Sequence, residues 1–224
     1  MAKNVFGVDI GGTTVKIGLF SIEGELLDKW EIKTNTANNG ESILSDVAHA
    51  VDNKLAQEGI SKDDVQGIGL GVPGPVNSNG VVSGCVNLGW GVLNVEEELG
   101  KLTGLKIKAG NDANVAALGE MWQGGGKGHQ DVVMVTLGTG VGGGVVLEGK
   151  LLTGFNFAGA EIGHFVMHHG GEPCGCGGRG CFEAYGSASA LIRHAREATG
   201  EDITEAKTVF DRAKNGDEIC REVL

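Results

Sequence analysis

Apolar residues recur with two periods along the first part of the chain, and each period predicts a different element. Three apolar segments separated by short turns predict an antiparallel meander of strands at 5–9, 15–20 and 26–32, because their connections are too short for a crossover. Helical spacing predicts a helix over 41–58 that Gly59 ends. Strands and a helix therefore alternate along this part of the chain.

The same alternation continues along the chain. Apolar runs predict strands at 65–70 and 105–109. A short helix is expected to start at Asn94 with a capping box and to stop at Gly104. An Ala-rich helix follows the later strand and runs to about residue 122.

A glycine-rich stretch at 124–128 cannot hold a helix or strand and is the best linker candidate. It divides the chain into an N-terminal domain over 1–122 and a second domain over 123–224. The second domain opens with a strand at 132–137, a turn over residues 138–144, and another strand.

This second hairpin resembles the one that opens the chain. Shifting the sequence by 127 residues places Gly11 on Gly138. Two glycine hairpins can look alike by chance, but the same placement after a strand that opens a domain favours a duplicated unit. Helical spacing returns after Glu183 and again over 204–213.

Composition and charge exclude several classes of function. The 224 residues are 41% hydrophobic and 21% charged, as in a globular chain. The net charge of −11, with no dense Lys/Arg cluster, argues against a nucleic-acid-binding surface. No apolar run approaches membrane-spanning length and no signal-peptide pattern is present. The odd cysteine count and the absence of an export signal together predict that the protein is located in the reducing cytoplasm, with Cys85 and Cys220 as free thiols.

Candidate functional side chains are most concentrated over residues 161–183, where three of the five cysteines fall within eight residues. One imidazole nitrogen and three thiolates complete a tetrahedral set for structural zinc. A disulfide remnant or chance clustering is the alternative, but a histidine and many glycines beside the cysteines favour metal. Glu161 and Glu183 have no role in such a zinc site, which indicates a ligand site beside it. The candidate metal ligands are His164, Cys174, Cys176 and Cys181.

Two turns of small residues are candidates for binding phosphate through backbone N–H groups. Neither is a Walker A loop, because no Gly-Lys-Ser/Thr follows, and neither is a Rossmann fingerprint, because each turn leads into a strand. Either alone would more often be a plain hairpin. Asp9 favours the functional interpretation, since a carboxylate at a strand end beside a phosphate loop suits hydrated Mg²⁺. The two turns contain Gly11, Gly12 and Thr13, and Gly138, Thr139 and Gly140.

Asn111 and Asp112 lie between a predicted strand and a predicted helix. An Asp at this position can be an N-cap. The functional alternative is a general base for phosphoryl transfer, which needs mainly positioning and charge neutralisation. A helix N-terminus also keeps the carboxylate charged. Asn111 and Asn114 offer the donors and acceptors that sugar hydroxyls require.

Five motifs follow one another along the chain. They are Asp9-x-Gly11-Gly12-Thr13, Asn111-Asp112-Ala113-Asn114, the glycine-rich run 137–144, Glu161-x-Gly163-His164 and the cysteine motif 174–183. In this order they resemble the ROK family of sugar kinases and repressors, and within it the bacterial glucokinases. The resemblance covers the whole chain. It implies an actin-like, ribonuclease H-like ATPase fold of two α/β domains that close on a sugar and ATP.

The roles of individual residues are implied by this resemblance. Asp112 would be the catalytic base, and Asp9 with the two glycine turns would serve Mg-ATP. His164 would bind both zinc and a sugar hydroxyl. Ala160 precedes Glu161, where the family usually has glycine. The implied sugar-binding positions are Gly74, Asn87, Asn111, Asp112, Glu161, His164 and Glu183.

The expected function is a cytoplasmic, ATP-dependent glucokinase that phosphorylates the 6-hydroxyl of glucose, and the resemblance implies a dimer or tetramer. Related ROK kinases use N-acetylmannosamine, N-acetylglucosamine, fructose or allose. The sequence leaves the preferred hexose open, and also whether polyphosphate can replace ATP. A sugar-sensing regulator is disfavoured, since such proteins carry an N-terminal helix-turn-helix and only residues 1–4 precede the first strand.

The family pattern continues with a further strand, an adenosine-binding segment and a closing helix. The sequence stops at Leu224, inside a predicted helix. We therefore expect the second domain to be incomplete, and this form to be less active than one that carries the additional segment.

Overall fold

The computed structural model describes residues 3–224, which form two compact units. The first unit comprises the chain up to Gly128 together with Thr153–Gly159, and the second comprises His129–Leu152 and Ala160–Leu224. This division falls after Gly128, whereas the predicted boundary is at 122/123, and the sequence does not predict the segment that returns to the first unit. None of the helices within residues 3–224 combines the length and apolar character that crossing a bilayer requires.

The first unit is built on a five-stranded mixed sheet in the order β3-β2-β1-β4-β7, with β5 and β6 paired as a separate hairpin. Its strands are β1 (Asn4–Ile10), β2 (Thr14–Ser21), β3 (Leu26–Lys33), β4 (Val65–Val72), β5 (Val81–Cys85), β6 (Trp90–Asn94) and β7 (Ile107–Asn111). Its helices are α1 (Ala37–Gly40), α2 (Ile43–Glu58), α3 (Val95–Thr103) and α4 (Asp112–Gln123).

The pairing of the central strands determines where functional groups can meet. β1 pairs antiparallel with β2, and β2 with β3, so the predicted meander is confirmed. β4 pairs parallel with both β1 and β7. The carboxyl ends of β1, β4 and β7 therefore lie at one edge of the sheet, where open α/β sheets bind their ligands.

The apolar residues that alternate along β1 and those that recur with helical spacing along α2 pack in one core. Phe6, Val8 and Ile10 point to one face of β1 and are at most 4% exposed. They belong to the same buried cluster as Val47 and Val51 of α2, which are fully buried. This core fixes the sheet against the helix and leaves the opposite face of β1 to carry Asp9.

The helix ends of the first unit form as the sequence predicts. Gly59 and Gly104 take left-handed backbone conformations, with φ of 64° and 70°, just after α2 and α3. The side chain of Asn94 accepts the Glu97 N–H at 3.1 Å, and its own amide reaches the Glu97 carboxylate. The predicted start of α3 at an Asn94 cap is therefore confirmed, but Glu97 bonds to the cap's side-chain amide and not to its backbone N–H as in a capping box.

The β5–β6 hairpin was not predicted from the sequence. Its strands are five residues each and are interrupted by Gly84 and Gly91, so they show no clear apolar alternation. Pairing of Val82 with Leu93 and burial of Val82 and Trp90 stabilise it instead. Tertiary packing here overrides a weak local signal.

The second unit contains a three-stranded sheet in the order β10-β9-β8. Its strands are β8 (Val132–Leu137), β9 (Val141–Leu147) and β10 (Lys150–Leu151), and its helices are α5 (Glu183–Gly186), α6 (Ala188–Thr199), α7 (Ala206–Lys214) and α8 (Glu218–Val223). The last three helices pack around a small core of Ala195, Ile203, Val209, Ala213 and Cys220. The helix expected to follow Glu183 is interrupted at Ser187, which caps α6.

The hairpin that opens the second unit matches the first in length. Shifting β1 and β2 by 127 residues places them over 131–137 and 141–148, nearly the bounds of β8 and β9. The predicted turn over 138–144 is too long, however, because β9 already begins at Val141. Gly142 and Gly143 pair in register with β8, and Gly143 lies where a Cβ would meet the Ile162 side chain. Glycine is therefore compatible with a strand here because another segment packs closely against it.

Candidate functional site

Two carboxylates of the first unit, those of Asp9 and Asp112, lie at the same edge of its sheet. Asp9 is opposite Gly71 in the pairing of β1 with β4, and Val72 is opposite Asn111 in the pairing of β4 with β7. A Cβ at Gly71 would lie 3.7 Å from both the Asp9 Oδ1 and the Asp112 Cα. The structure thus brings together the two acids that were singled out 103 positions apart in the sequence.

Asp112 is the first residue of α4, and the N-cap is Asn111, whose Oδ1 accepts the Asn114 N–H at 3.1 Å. The Asp112 Oδ1 accepts the Ala113 N–H at 2.7 Å and the Asn111 side-chain amide at 3.0 Å. Burial raises the pKa of Asp112, and the charge of Asp9 adds to this, while the Ala113 N–H opposes it. A raised pKa makes this carboxylate a stronger proton acceptor.

The first glycine turn is held by hydrogen bonds to its own backbone. The Gly11 N–H donates to the Thr14 carbonyl at 3.0 Å, and the Thr34 hydroxyl donates to the Gly11 carbonyl at 2.6 Å. A Cβ on Gly12 would lie 3.8 Å from the Asn87 carbonyl oxygen. Asn87, one of the predicted sugar-binding residues, therefore lies beside the predicted phosphate turn.

Gly74 is joined to the same cluster through its carbonyl, which accepts the Asn111 side-chain amide at 3.3 Å. Its φ is 114°, and a Cβ there would lie 2.8 Å from the Gly84 carbonyl oxygen, so this position requires glycine. Asn111 thus links the Gly74 backbone to the Asp112 carboxylate. Gly74, Asn111, Asp112 and Asp9 thus form one group, and Gly12 with Asn87 forms a second that follows Asp9 in the chain.

Lys16 of the first unit was not assigned a role from the sequence, whereas Asn114 was noted there for its donors and acceptors. Lys16 lies opposite Asp9 in the β1–β2 register; its side chain is exposed and makes no ion pair within residues 3–224. Asn114 is 6% exposed, and its Oδ1 has no hydrogen-bond partner among the described residues. Counting outwards from the glycine turn along the paired strands would have identified Lys16.

The four predicted metal ligands of the second unit come together. Their ligand atoms all lie within 4.8 Å of one another. The Cys174 Sγ is 3.7 Å from the His164 Nδ1, and the Cys176 and Cys181 sulfurs are also 3.7 Å apart. Zinc bonds of about 2.0–2.3 Å in a tetrahedron put ligand atoms roughly 3.5–3.8 Å apart, so the cluster fits zinc. All five cysteines are free thiols, which removes the disulfide alternative.

The backbone around the cysteines is folded so that sulfurs and N–H groups meet. The Cys174 N–H donates to the Gly178 carbonyl and its own carbonyl accepts the Gly177 N–H, each at 3.0 Å. The Gly178 N–H lowers the pKa of Cys176, whereas burial raises the pKa of Cys181 to about 12. Zinc must displace the proton held by Cys181, so we expect metal affinity to fall as the pH falls.

Glu161 and His164 lie on one short helical turn, with the Glu161 side chain exposed. Ala160 before it has a φ of 63°, in the left-handed region that favours glycine. The substitution noted in the sequence, Ala where the resemblance leads one to expect Gly, therefore places a strained residue next to a predicted sugar ligand.

We expect Ala160→Gly to stabilise the protein by roughly 0.5–1 kcal/mol, since relief of left-handed strain exceeds the added freedom of the unfolded chain. Urea denaturation of both proteins measures the difference. Ala158→Gly is the matched control, because Ala158 does not have a positive φ, and it should be slightly destabilising. A loss of stability in Ala160→Gly would contradict this assignment of strain.

The second glycine turn contacts Glu183. The Gly138 N–H donates to the Gly140 carbonyl at 2.9 Å and closes the turn. The next residue, Val141, donates its N–H to the Glu183 Oε2 at 3.0 Å. The other Glu183 oxygen is 3.8 Å from the Cys174 Sγ. Glu183, expected from the resemblance to bind sugar, thus lies between the cysteine cluster and the predicted phosphate turn.

Known proteins resemble the chain over nearly all of its length. A glucokinase of Halalkalibacterium halodurans is 43% identical over 97% of the chain, which spans 66% of that protein. An N-acetylmannosamine kinase of Escherichia coli O157:H7 is 34% identical over 97% of the chain, which spans 72% of it. The chain is therefore about two thirds to three quarters as long as these relatives.

The fold also matches solved structures. A ROK family glucokinase from Streptomyces griseus, crystallised with glucose and AMPPNP, superimposes with a TM-score of 0.78 at 33% identity, covering 98% of this chain and 74% of that one. The expected fold class is confirmed by this match over the part that the chain contains. The sequence model of the ROK family matches residues 5–224. The chain belongs to the ROK family.

Proposed function

We propose that the protein is an ATP-dependent hexose kinase and that glucose is its sugar. The observation that carries the proposal is the half-buried carboxylate of Asp112, which lies beside Asp9 and a glycine turn at the carboxyl edge of the sheet. The similarity to a glucokinase that binds glucose and AMPPNP supports the choice of both substrates. A cytoplasmic location, a dimeric or tetrameric state and the functional division at residue 122 are further proposals from the same resemblance.

Asp112 is the proposed general base. Its carboxylate takes the proton of the sugar 6-hydroxyl while that oxygen forms a bond to the γ-phosphorus of ATP. The bond from phosphorus to the β,γ-bridging oxygen breaks, and its electron pair leaves with ADP. The Asn111 amide and the Ala113 N–H both donate to one carboxylate oxygen, Oδ1, and so orient the carboxylate. The second oxygen, Oδ2, remains for the incoming proton.

The first glycine turn and its neighbours are the proposed binding groups for phosphate. Gly12 and Thr13 are exposed at the tip of the turn, where backbone N–H groups can contact phosphate oxygens. Lys16 adds a positive charge on the strand opposite Asp9. Asp9 is exposed and makes no ion pair among residues 3–224, so it can hold hydrated Mg²⁺, which neutralises phosphate charge.

The metal cluster is proposed to orient the sugar-binding side chains of the second unit. Zinc held by His164 Nδ1 and the three cysteines supplies structural cross-linking and no open coordination position. With Nδ1 on the metal, Nε2 of the same ring is the nitrogen left for a sugar hydroxyl. Glu161 contributes an exposed carboxylate on the same turn.

A panel of sugars with Mg-ATP tests the proposal by coupled assay of ADP release. We expect the highest kcat/KM on glucose, followed by N-acetylmannosamine, the substrate named for a 34% identical relative. Because the relatives are longer, the assay is run on this chain and on the same chain joined to the remaining segment of the Halalkalibacterium glucokinase. A preference for another hexose would replace glucose, and no phosphorylation by either protein would refute the kinase.

A further inference from the structure

Glu183 makes two contacts that a residue dedicated to sugar would not need. Its Oε2 accepts the Val141 N–H at 3.0 Å, at the point where the second glycine turn becomes β9. Its Oε1 lies 3.8 Å from the sulfur of Cys174. A Cβ on Gly140 would collide with the same carboxylate, so the turn has no room for a larger residue. One side chain therefore connects the cysteine cluster to the turn.

Backbone contacts near Glu183 also join the metal-binding segment to the turn. A Cβ on Gly163, next to His164, would collide with the Val141 carbonyl, so this segment packs directly on the start of β9. The Ala188 N–H, just after α5, donates to the Gly138 carbonyl at 2.8 Å. The 138–141 turn is thus contacted by Gly163, which precedes the three cysteines in the chain, and by Ala188, which follows them. Gly163 is buried in this contact.

We propose that Glu183 is a positioning residue that transmits the order of the zinc cluster to the second phosphate turn. The Glu183 carboxylate holds the Val141 N–H, and this sets the conformation in which residues 138–140 present their own N–H groups. The inference rests on the proposed function only where it states that the turn binds nucleotide. The inference predicts that bound zinc strengthens nucleotide binding as well as sugar binding.

The turn itself is tested by hydrogen exchange of the Val141 amide, which needs no substrate. We expect Glu183→Ala to speed exchange roughly ten-fold or more, because the hydrogen bond from the Val141 N–H to this side chain is lost. Glu183→Gln keeps an acceptor oxygen and should exchange at close to the wild-type rate. Glu172→Ala is the matched control, since the Glu172 side chain is exposed in the same segment and bonds to no described residue. Removal of zinc should likewise speed exchange at Val141.

Calorimetric titration with AMPPNP in the absence of sugar tests the consequence. The dissociation constant should rise several-fold in Glu183→Ala and stay near wild type in Glu183→Gln and Glu172→Ala. Unchanged exchange and unchanged AMPPNP affinity in Glu183→Ala, with only glucose binding weakened, would overturn the inference. Failure of the wild-type protein to bind AMPPNP would count against the proposed function instead, and exchange at Val141 would still decide the positioning role.

Discussion

Replacing Asp112 with Asn is expected to lower kcat on glucose by roughly 10²–10⁴-fold, the usual contribution of a positioned general base. The Asn Oδ1 can still accept the two hydrogen bonds that the Asp112 Oδ1 accepts, so the side chain should stay in place. Its amide nitrogen, however, cannot take the sugar proton. The glucose dissociation constant should change only a few-fold. Steady-state kinetics with glucose titrations measure both quantities, and a variant with wild-type kcat would exclude Asp112 as the base.

The same variant should be at least as stable as the wild type at pH 7. Burial and the nearby charge of Asp9 raise the pKa of Asp112, so the folded state disfavours the ionised carboxylate. The unfolded chain ionises near a pKa of about 3.9, and the charge therefore costs stability above the raised pKa. As the pH falls through that pKa the wild-type carboxyl becomes neutral, and the advantage of Asn disappears.

Urea denaturation at pH 7 and near pH 4 measures this difference. A variant less stable than wild type at pH 7 would show that the environment favours the charge, contrary to the assigned direction. The acid limb of kcat/KM should also lie at higher pH than for an ordinary aspartate, because only the ionised base is active. Asp211→Asn, at an exposed position of α7, is the matched control and should alter neither kcat nor the acid limb.

Local signals made much of the fold predictable. The strands of the meander alternate apolar residues, and the helix ends carry Asn94, Gly59 and Gly104, whose preferences act within a few residues. The β5–β6 hairpin was missed since its pairing is stabilised by burial of Val82 and Trp90, which depends on contacts distant in sequence. The start of β9 was missed because glycines have no strand preference of their own.

The candidate site likewise contains some features that the sequence predicts and others that it does not. The metal ligands lie within 18 residues and have distinctive chemistry, so spacing alone brings them together in the prediction. The proximity of Asp9 and Asp112 follows from parallel pairing through β4, which the sequence does not display. The hydrogen bond from Val141 to Glu183 was also unpredictable, because it joins a backbone group to a side chain 42 positions away.

Loss of the metal is expected to unfold the segment 161–183 and to abolish glucose binding. A structural zinc site contributes on the order of 10 kcal/mol of folding free energy, comparable to the whole stability of a typical domain of about 5–15 kcal/mol. The segment buries little apolar surface of its own: Cys181 and Gly163 are buried, but most of its other residues are exposed, and its backbone hydrogen bonds are mainly internal. Elemental analysis of protein purified without chelators should give one zinc per chain.

Cys181→Ser should remove the zinc and lower the thermal midpoint of the second unit strongly, since a buried sulfur ligand is lost. Cys220→Ala is the matched control, because Cys220 is equally buried but lies in α8 outside the cluster. It should keep one zinc per chain with only a modest loss of stability. Hydrogen exchange separates the two outcomes, as Cys181→Ser should expose 161–183 selectively while the β1–β2 meander stays protected. Protein that contains no metal and yet binds glucose normally would show that the cluster has no structural role.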